Sequence, residues 1–314
     1  MFSYEQPADL AGVLRALSHR PGARLGAGGT DLLVNMKHRV ELPETLVSLG
    51  RVGELRGVRR EGDRLVIGAT TTLKELGHHG ELAGKFPALV QAAFSVGSPR
   101  HQAMGTLGGN LCQNTRCRFF NQSWQWRQAR SLCFKAGGEE CHVAKRKSAC
   151  FATYSGDVAP ALLVLDAAVR TAGPGGTREF PLARLYSGDG RAPLALGPGE
   201  FVEAVVLPEA SAGGASRYEK FTRRGAIEFP IVGAAVWRGD GVVRAAFTGV
   251  DRAPVRAAEL EASLRGVPMT PESLQRAAAL APRAARIAPT STHSVAFKRA
   301  LMATLFLKAM RAVV

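Results

Sequence analysis

Residues 105–160 read GTLGGNLCQNTRCRFFNQSWQWRQARSLCFKAGGEECHVAKRKSACFATYSGDVAP, and the chain is organised around this stretch. All five cysteines fall inside it: Cys112, Cys117, Cys133, Cys141 and Cys150. Random scatter over 314 residues does not do that, so the block has its own chemistry. Its opening, Gly105-Thr106-Leu107-Gly108-Gly109-Asn110, is one of two glycine-rich turns; the other is Gly26-Ala27-Gly28-Gly29-Thr30-Asp31. Such a turn after a strand gathers backbone N–H groups on a tight concave loop. Glycine permits positive φ and close approach of a phosphate. Thr30 adds a hydroxyl. Asp31 repels a phosphate, and is expected instead to cap the following helix, whose N-terminus attracts anions. Asn110 can donate and accept at a ligand oxygen, or close an Asx turn. The spacing is not that of the Rossmann fingerprint.

Outward from this block the chain reads as an ordinary globular protein. Apolar residues make up 46% of it, enough for a sizeable core, and its 314 residues suit two domains. No run of eighteen apolar residues is present, so no membrane span is expected. The N-terminal Met1-Phe2-Ser3-Tyr4-Glu5-Gln6-Pro7 lacks the basic and apolar regions of a secretory signal. A cytoplasmic location is expected, where thiols stay reduced and clustered cysteines read as metal ligands before disulfides. The net charge of +15 is mostly scattered arginine. Lys145-Arg146-Lys147 is the one dense run and suits an acidic redox partner; no nucleic-acid motif accompanies it.

Periodicity predicts helices over 8–17, 31–37, 86–93, 271–281 and 294–313, with Thr72 capping another that carries Leu73 and Leu76. In the last helix Phe297, Leu301 and Leu305 share a face, and Lys298, Arg299, Lys308 and Arg311 are expected in solvent. Strands are predicted at 23–25, 45–49, 64–68, from 167, and at 201–207, 230–237 and 242–249. Asp240-Gly241 is a hairpin signal, and the last three strands suggest one antiparallel sheet. Gly173-Pro174-Gly175-Gly176 reads as the domain boundary. The fold class is α+β.

Four segments taken together carry a family resemblance. Leu25-Gly-Ala-Gly-Gly-Thr-Asp-Leu-Leu33, Ile67-Gly-Ala-Thr-Thr-Thr-Leu73, Gly105-Thr-Leu-Gly-Gly-Asn-Leu111 and Gly156-Asp-Val-Ala-Pro-Ala-Leu-Leu163 resemble the FAD-binding subunit of the molybdenum hydroxylases, which include xanthine and carbon monoxide dehydrogenases. Lys220, Pro254-Val-Arg256 and Phe297-Lys-Arg299 extend it over nearly the whole chain. The resemblance implies a two-lobed FAD-binding domain of the vanillyl-alcohol-oxidase (PCMH) type over 1–175, with lobes of about 1–50 and 51–175. A C-terminal domain of carbon monoxide dehydrogenase flavoprotein type, an antiparallel sheet with helices, follows over 176–314. It implies FAD contacts at Ala27, Gly28, Gly29, Thr30, Asp31, Thr106, Gly109, Asn110, Asp157 and Lys220.

In ordinary members the asparagine turn runs almost directly into the Asp-x-Ala-Pro-Ala segment. Here an iron–sulfur or zinc insert of about 114–154 separates them and brings Cys117, Cys133, Cys141 and Cys150, with fifteen, seven and eight residues between. Four thiolates suit a [4Fe–4S] cluster or a structural zinc, and spacing does not choose between them. Arg116, Arg118, Arg127, Arg130 and Lys135 offer compensating charge. Phe119, Phe120, Trp124, Trp126, Phe134 and Phe151 offer shielding, or simply a small core. His142 is a polar neighbour. The four-cysteine insert resembles that of the 4-hydroxybenzoyl-CoA reductase β subunit, which implies the [4Fe–4S] cluster. It also implies partners: a molybdenum-cofactor large subunit and a [2Fe–2S] small subunit in a duplicated heterotrimer, with a ferredoxin donor. The alternatives are the flavin subunit of an NAD-linked dehydrogenase with a zinc-stabilised insert, and an assembly scaffold.

Overall fold

The structure is a computed structural model that describes residues 2–20, 22–144 and 148–314. The basic run Lys145-Arg146-Lys147 lies outside the described residues. The chain begins with a small parallel sheet whose central strand, Thr45–Ser48, is flanked by Ser3–Glu5 and Arg24–Gly26. Parallel strands need crossovers, and helix Leu10–His19 supplies the first. Asp9 caps it by accepting from the Gly12 N–H at 2.7 Å, and Val13 and Ala16 form its buried face.

The second unit is a five-stranded antiparallel sheet in the order Val58–Glu61, Arg64–Gly68, Phe201–Pro208, Ala168–Gly173, Gly176–Pro181. Helices Leu73–His78, Pro87–Phe94 and Val158–Val164 share its main core, with Ile67, Leu76, Leu89, Leu162 and Val205 all closed to solvent. Thr72 caps the first of these helices in a full capping box with Glu75. The third unit is a four-stranded antiparallel sheet in the order Val255–Arg256, Val242–Thr248, Val232–Gly239, Ala215–Phe221, covered by helix Val295–Met310. Asp240 and Gly241, at φ 50 and 71, make the tight turn between its two long central strands.

Two expectations are corrected by these pairings. The Gly173–Gly176 turn is the tip of a hairpin and not a boundary, because the strands on both sides of it pair residue for residue. The strand Phe201–Pro208 belongs to the centre of the five-stranded sheet, not to the C-terminal one. Its place beside Val232–Gly239 is taken by Ala215–Phe221. Two side chains of the last helix also differ. Phe297 is 40% exposed, whereas Lys298 is buried and donates to the Gly249 carbonyl at 2.6 Å. Among the described residues no helix is long and apolar enough to cross a membrane.

Candidate functional site

The two glycine turns lie against each other. A Cβ on Gly28 would stand 1.7 Å from the Met104 carbonyl oxygen, and one on Gly105 would stand 3.5 Å from Thr30 Oγ1. Gly28 is therefore a matter of contact: only a hydrogen fits between the turns. Gly29, at φ 69, supplies the left-handed backbone that aims the turn into helix Leu32–Lys37.

Their hydrogen bonding separates the two turns. In the second, Leu107 N–H donates to the Thr71 carbonyl at 2.9 Å and Gly108 N–H to the Ala69 carbonyl at 2.8 Å. Gly109 N–H goes to Thr106 Oγ1 at 3.1 Å and Asn110 N–H to the Thr106 carbonyl at 2.9 Å. Thr106 thus caps its own helix, Leu107–Leu111. In the first turn, among the described residues, none of the N–H groups of Ala27, Gly28, Gly29, Thr30 and Asp31 donates to a protein acceptor. Backbone donors without a partner need water or a ligand, and this run suits the oxygens of a phosphate.

Asp31 does not cap helix Leu32–Lys37 with its side chain. Its carboxylate accepts from Arg116 and, at 3.2 Å, from Asn35 Nδ2. That pairing offsets the repulsion that a bare carboxylate would offer to a phosphate. Asn110 Oδ1 accepts from the Val158 N–H at 3.1 Å and caps helix Val158–Val164 across space. Its Nδ2, among the described residues, has no protein partner.

Asp157 and Lys220 meet at 3.1 Å, with Asp157 only 2% exposed. The carboxylate also accepts from Tyr218 Oη at 2.8 Å and from Ser95 Oγ at 3.3 Å. Burial raises the Asp157 pKa, and Lys220, Tyr218 and Ser95 oppose that rise by favouring the charged form. Lys220 Nζ is held by the Ser95 carbonyl at 2.9 Å as well. The pair ties strand Ala215–Phe221 to the helix of the second unit that Asp157 precedes. Sequence reasoning missed Tyr218 and Ser95. Tyr218 lies two residues before Lys220 on a strand, so the period of two was the signal for a shared face.

The cysteine-rich segment leaves the body of the protein at a neck. Arg116 and Thr153 exchange both backbone hydrogen bonds at 2.7 Å. Arg118 N–H donates to the Thr290 carbonyl at 2.7 Å, and Thr153 and Thr290 join through their hydroxyls. The Arg127 guanidinium, buried, donates to the carbonyls of His38 and Arg39 and fastens the segment to the first lobe. Arg127 is thus a structural tie that also shares a groove wall with Cys133. Lys135, half-buried, reaches Thr115 Oγ1 at 2.8 Å and the Gly190 carbonyl.

Beyond the neck, Cys117, Cys133, Cys141 and Cys150 line a single pocket, with Phe119, Phe120, Phe134, Phe151 and His142 among its walls. Trp124 is not among them and is 40% exposed. Cys112 stands apart, on the turn itself, and burial pushes its thiol up to about 12. Among the described residues no group of three or more His, Cys, Asp or Glu is closed tightly enough to hold a metal ion. Two N–H groups nevertheless face the sulfurs: Ala144 to Cys141 and Ala152 to Cys150, both at 3.4 Å. Backbone donors of this kind stabilise thiolate sulfur. Burial pushes the Cys117 thiol up to about 11 and raises Cys150 too, so thiolates here need a cation among them. The His142 ring N–H donates to the Ser131 carbonyl at 2.8 Å, which occupies its Nε2.

Residues 1–210 match the family described as the FAD binding domain in molybdopterin dehydrogenase. Residues 216–313 match the CO dehydrogenase flavoprotein C-terminal domain, which places the junction between the five- and four-stranded sheets. The chain is 34% identical over 273 residues to the aldehyde oxidoreductase FAD-binding subunit PaoB of Escherichia coli K12, covering 84% of this chain and 86% of that one. It is 30% identical over 287 residues to the carbon monoxide dehydrogenase medium chain of Afipia carboxidovorans, covering 89% and 85%. The solved structure of the cyanide-inactivated Cu,Mo-CO dehydrogenase superposes with a TM-score of 0.81 at 26% identity, over 99% of this chain and 97% of that one. The chain belongs to the family of FAD-binding subunits of molybdopterin dehydrogenases, flavoprotein components of multi-subunit molybdenum oxidoreductases.

Proposed function

We propose that this chain is an electron-transfer subunit that holds FAD at the first glycine turn and a [4Fe–4S] cluster on Cys117, Cys133, Cys141 and Cys150. The observation that carries the reading is the meeting of four cysteines, distant in sequence, in one pocket whose backbone N–H groups face sulfur. Ala27, Gly28, Gly29, Thr30 and Asp31 would take the pyrophosphate on their open N–H groups. Thr106 and Gly109 shape the wall beside them, Asn110 offers its Nδ2, and Asp157 with Lys220 lies toward the flavin end. The bound flavin supplies exchange between one- and two-electron chemistry, and the protein contributes placement and charge. A single zinc needs four sulfurs within about 2.3 Å of one point. A [4Fe–4S] cluster instead takes its four thiolates on separate irons.

In this reading the chain sits beside a molybdenum-cofactor large subunit and a [2Fe–2S] small subunit, in a duplicated heterotrimer. It passes electrons between an external carrier, such as a ferredoxin, and those centres. The insert favours a 4-hydroxybenzoyl-CoA reductase-like enzyme of aromatic degradation. The 34% identity to an aldehyde oxidoreductase subunit favours aldehyde oxidation as the second reading. In both, substrate chemistry belongs to the large subunit.

Metal analysis and EPR of the anaerobically purified, dithionite-reduced complex test this. Four irons per copy of this chain beyond the [2Fe–2S] centres, lost together in Cys133→Ser, are expected. One zinc and no extra iron would replace the cluster with a structural zinc and make an NAD-linked dehydrogenase the better account. Turnover of 4-hydroxybenzoyl-CoA with reduced ferredoxin, against turnover of an aromatic aldehyde, separates the two substrates.

A further inference from the structure

The cysteine pocket has a neighbour on its outer side. A second groove shares Phe119, Cys133 and His142 with it and is otherwise lined by Trp126, Arg130 and Leu132 among others. Leu132 is 40% exposed, and Cys133 is half-buried. The groove is thus an apolar patch open to solvent with one of the four cysteines in its wall. Arginines ring it. Arg118 lies over Phe119 at 5.0 Å, Arg130 over Trp126 at 4.7 Å, and Arg39 over Trp124 at 5.4 Å. All three arginines are exposed, and among the described residues none has a carboxylate partner. Nearby, Glu140 is engaged by Ser131 Oγ at 2.6 Å and by His142 at 3.6 Å.

We propose that this face is the docking site of a small acidic electron-carrier protein, an inference that rests on the cluster reading above. Unpaired arginines held over aromatic rings form a cationic collar, because a cation–π contact places the guanidinium without neutralising it. Such a collar steers an acidic protein and sets its orientation, while the apolar centre gives a dry contact at Cys133. Transient redox encounters bury little surface, so a patch of this extent is sufficient. One electron crosses per encounter: the carrier is oxidised by one electron as the cluster is reduced by one, and no bond forms or breaks.

The test uses the purified, FAD- and iron-loaded complex and a plant-type [2Fe–2S] ferredoxin as probe. Its Kd is measured by titration calorimetry at low and high salt. Arg118→Glu/Arg130→Glu is expected to weaken binding at least tenfold and to flatten the salt dependence, with iron and FAD contents unchanged. Reduction of the complex by methyl viologen, which needs no protein docking, keeps its rate. Should the reversal pair lose iron, Arg118→Gln/Arg130→Gln decides, with about threefold weaker binding expected from two lost surface charges. An unchanged Kd in an iron-loaded variant overturns the docking site alone. A wild-type complex without the extra iron overturns the cluster reading and the docking site with it.

Discussion

The Arg116 guanidinium bonds the Asp31 carboxylate, so the residue that precedes Cys117 is locked to the last residue of the first glycine turn. Arg116 also reaches Asn35 Oδ1 at 3.4 Å and stacks over Phe229 at 4.5 Å, while its buried Nε has no protein partner. Both side chains of the pair are about four-fifths covered, with 20% and 23% exposure. Removing one partner of such a pair leaves a poorly solvated charge. With the pyrophosphate at the first glycine turn as proposed, Arg116→Ala is expected to leave Asp31 unpaired beside it and to weaken FAD at least tenfold, read by fluorescence titration of the deflavinated complex. Asp31→Asn in the same chain should restore most of the affinity. Loss of affinity undiminished in the double variant would show that Arg116 acts in some other way.

The Asp157–Lys220 pair yields a stability prediction. Lys220→Met would strand a carboxylate that is 2% exposed, at a cost of about 3–5 kcal/mol. Asp157→Asn/Lys220→Met should recover at least half of that, since the buried charge is gone. Denaturant unfolding of the four proteins completes the double-mutant cycle. Additive effects would argue against direct coupling.

Gly28 makes a steric prediction. An added methyl would overlap the Met104 carbonyl, which is backbone and cannot rotate away. Gly28→Ala should drive the two turns apart and raise the FAD dissociation constant by tenfold or more. Gly22→Ala serves as the contrasting control: it meets open space and carries only the strain of its φ of 96. It should bind FAD normally with slightly lower stability.

Lys298 predicts a pH dependence. It is 4% exposed, and burial lowers its pKa from 10.5 to about 8. Below pH 8 the lysine is protonated folded and unfolded, and the folded state bears the full cost of the buried charge. Between 8 and 10.5 the unfolded chain keeps a proton that the folded one has lost, so unfolding takes up a proton and stability rises with pH. The full effect is roughly 3 kcal/mol at 1.36 kcal/mol per pKa unit. The stability difference between wild type and Lys298→Met should therefore shift in favour of wild type from pH 7.5 to 10. A flat difference would place the proton elsewhere.

Local pattern carried the sequence reading a long way. The strand Arg64–Gly68, the Thr72 cap and the Asp240-Gly241 turn all depend on neighbouring residues, and all are where periodicity and turn chemistry put them. The errors are those of distance and of context. Strand Phe201–Pro208 pairs Pro208 with Arg64, and nothing local distinguishes that partner from a nearer strand. Glycine and proline mark a hairpin tip and a linker alike, which is why 173–176 looked like a boundary. Lys298 was placed in solvent because charge says outside, yet one carbonyl at 2.6 Å holds it within. Of the site, the glycine turns and the four cysteines were legible as motifs. Which turn keeps its N–H groups open, and that Arg116 serves Asp31, required the fold.

The neck of the cysteine-rich segment carries one more consequence. Because Arg116 and Thr153 are already paired, the chain enters and leaves this segment at two adjacent points, and side ties such as Arg127 to His38 and Arg39 only fasten it further. The entropy of closing a loop grows only slowly with its length, so a segment hung from such a stem is tolerated by the host at nearly any size. The arrangement amounts to a cartridge: replacing 117–152 by a two-residue turn should leave a flavoprotein that folds without it. A lineage could gain or shed this whole appendage in one step while the flavin-binding body stays the same.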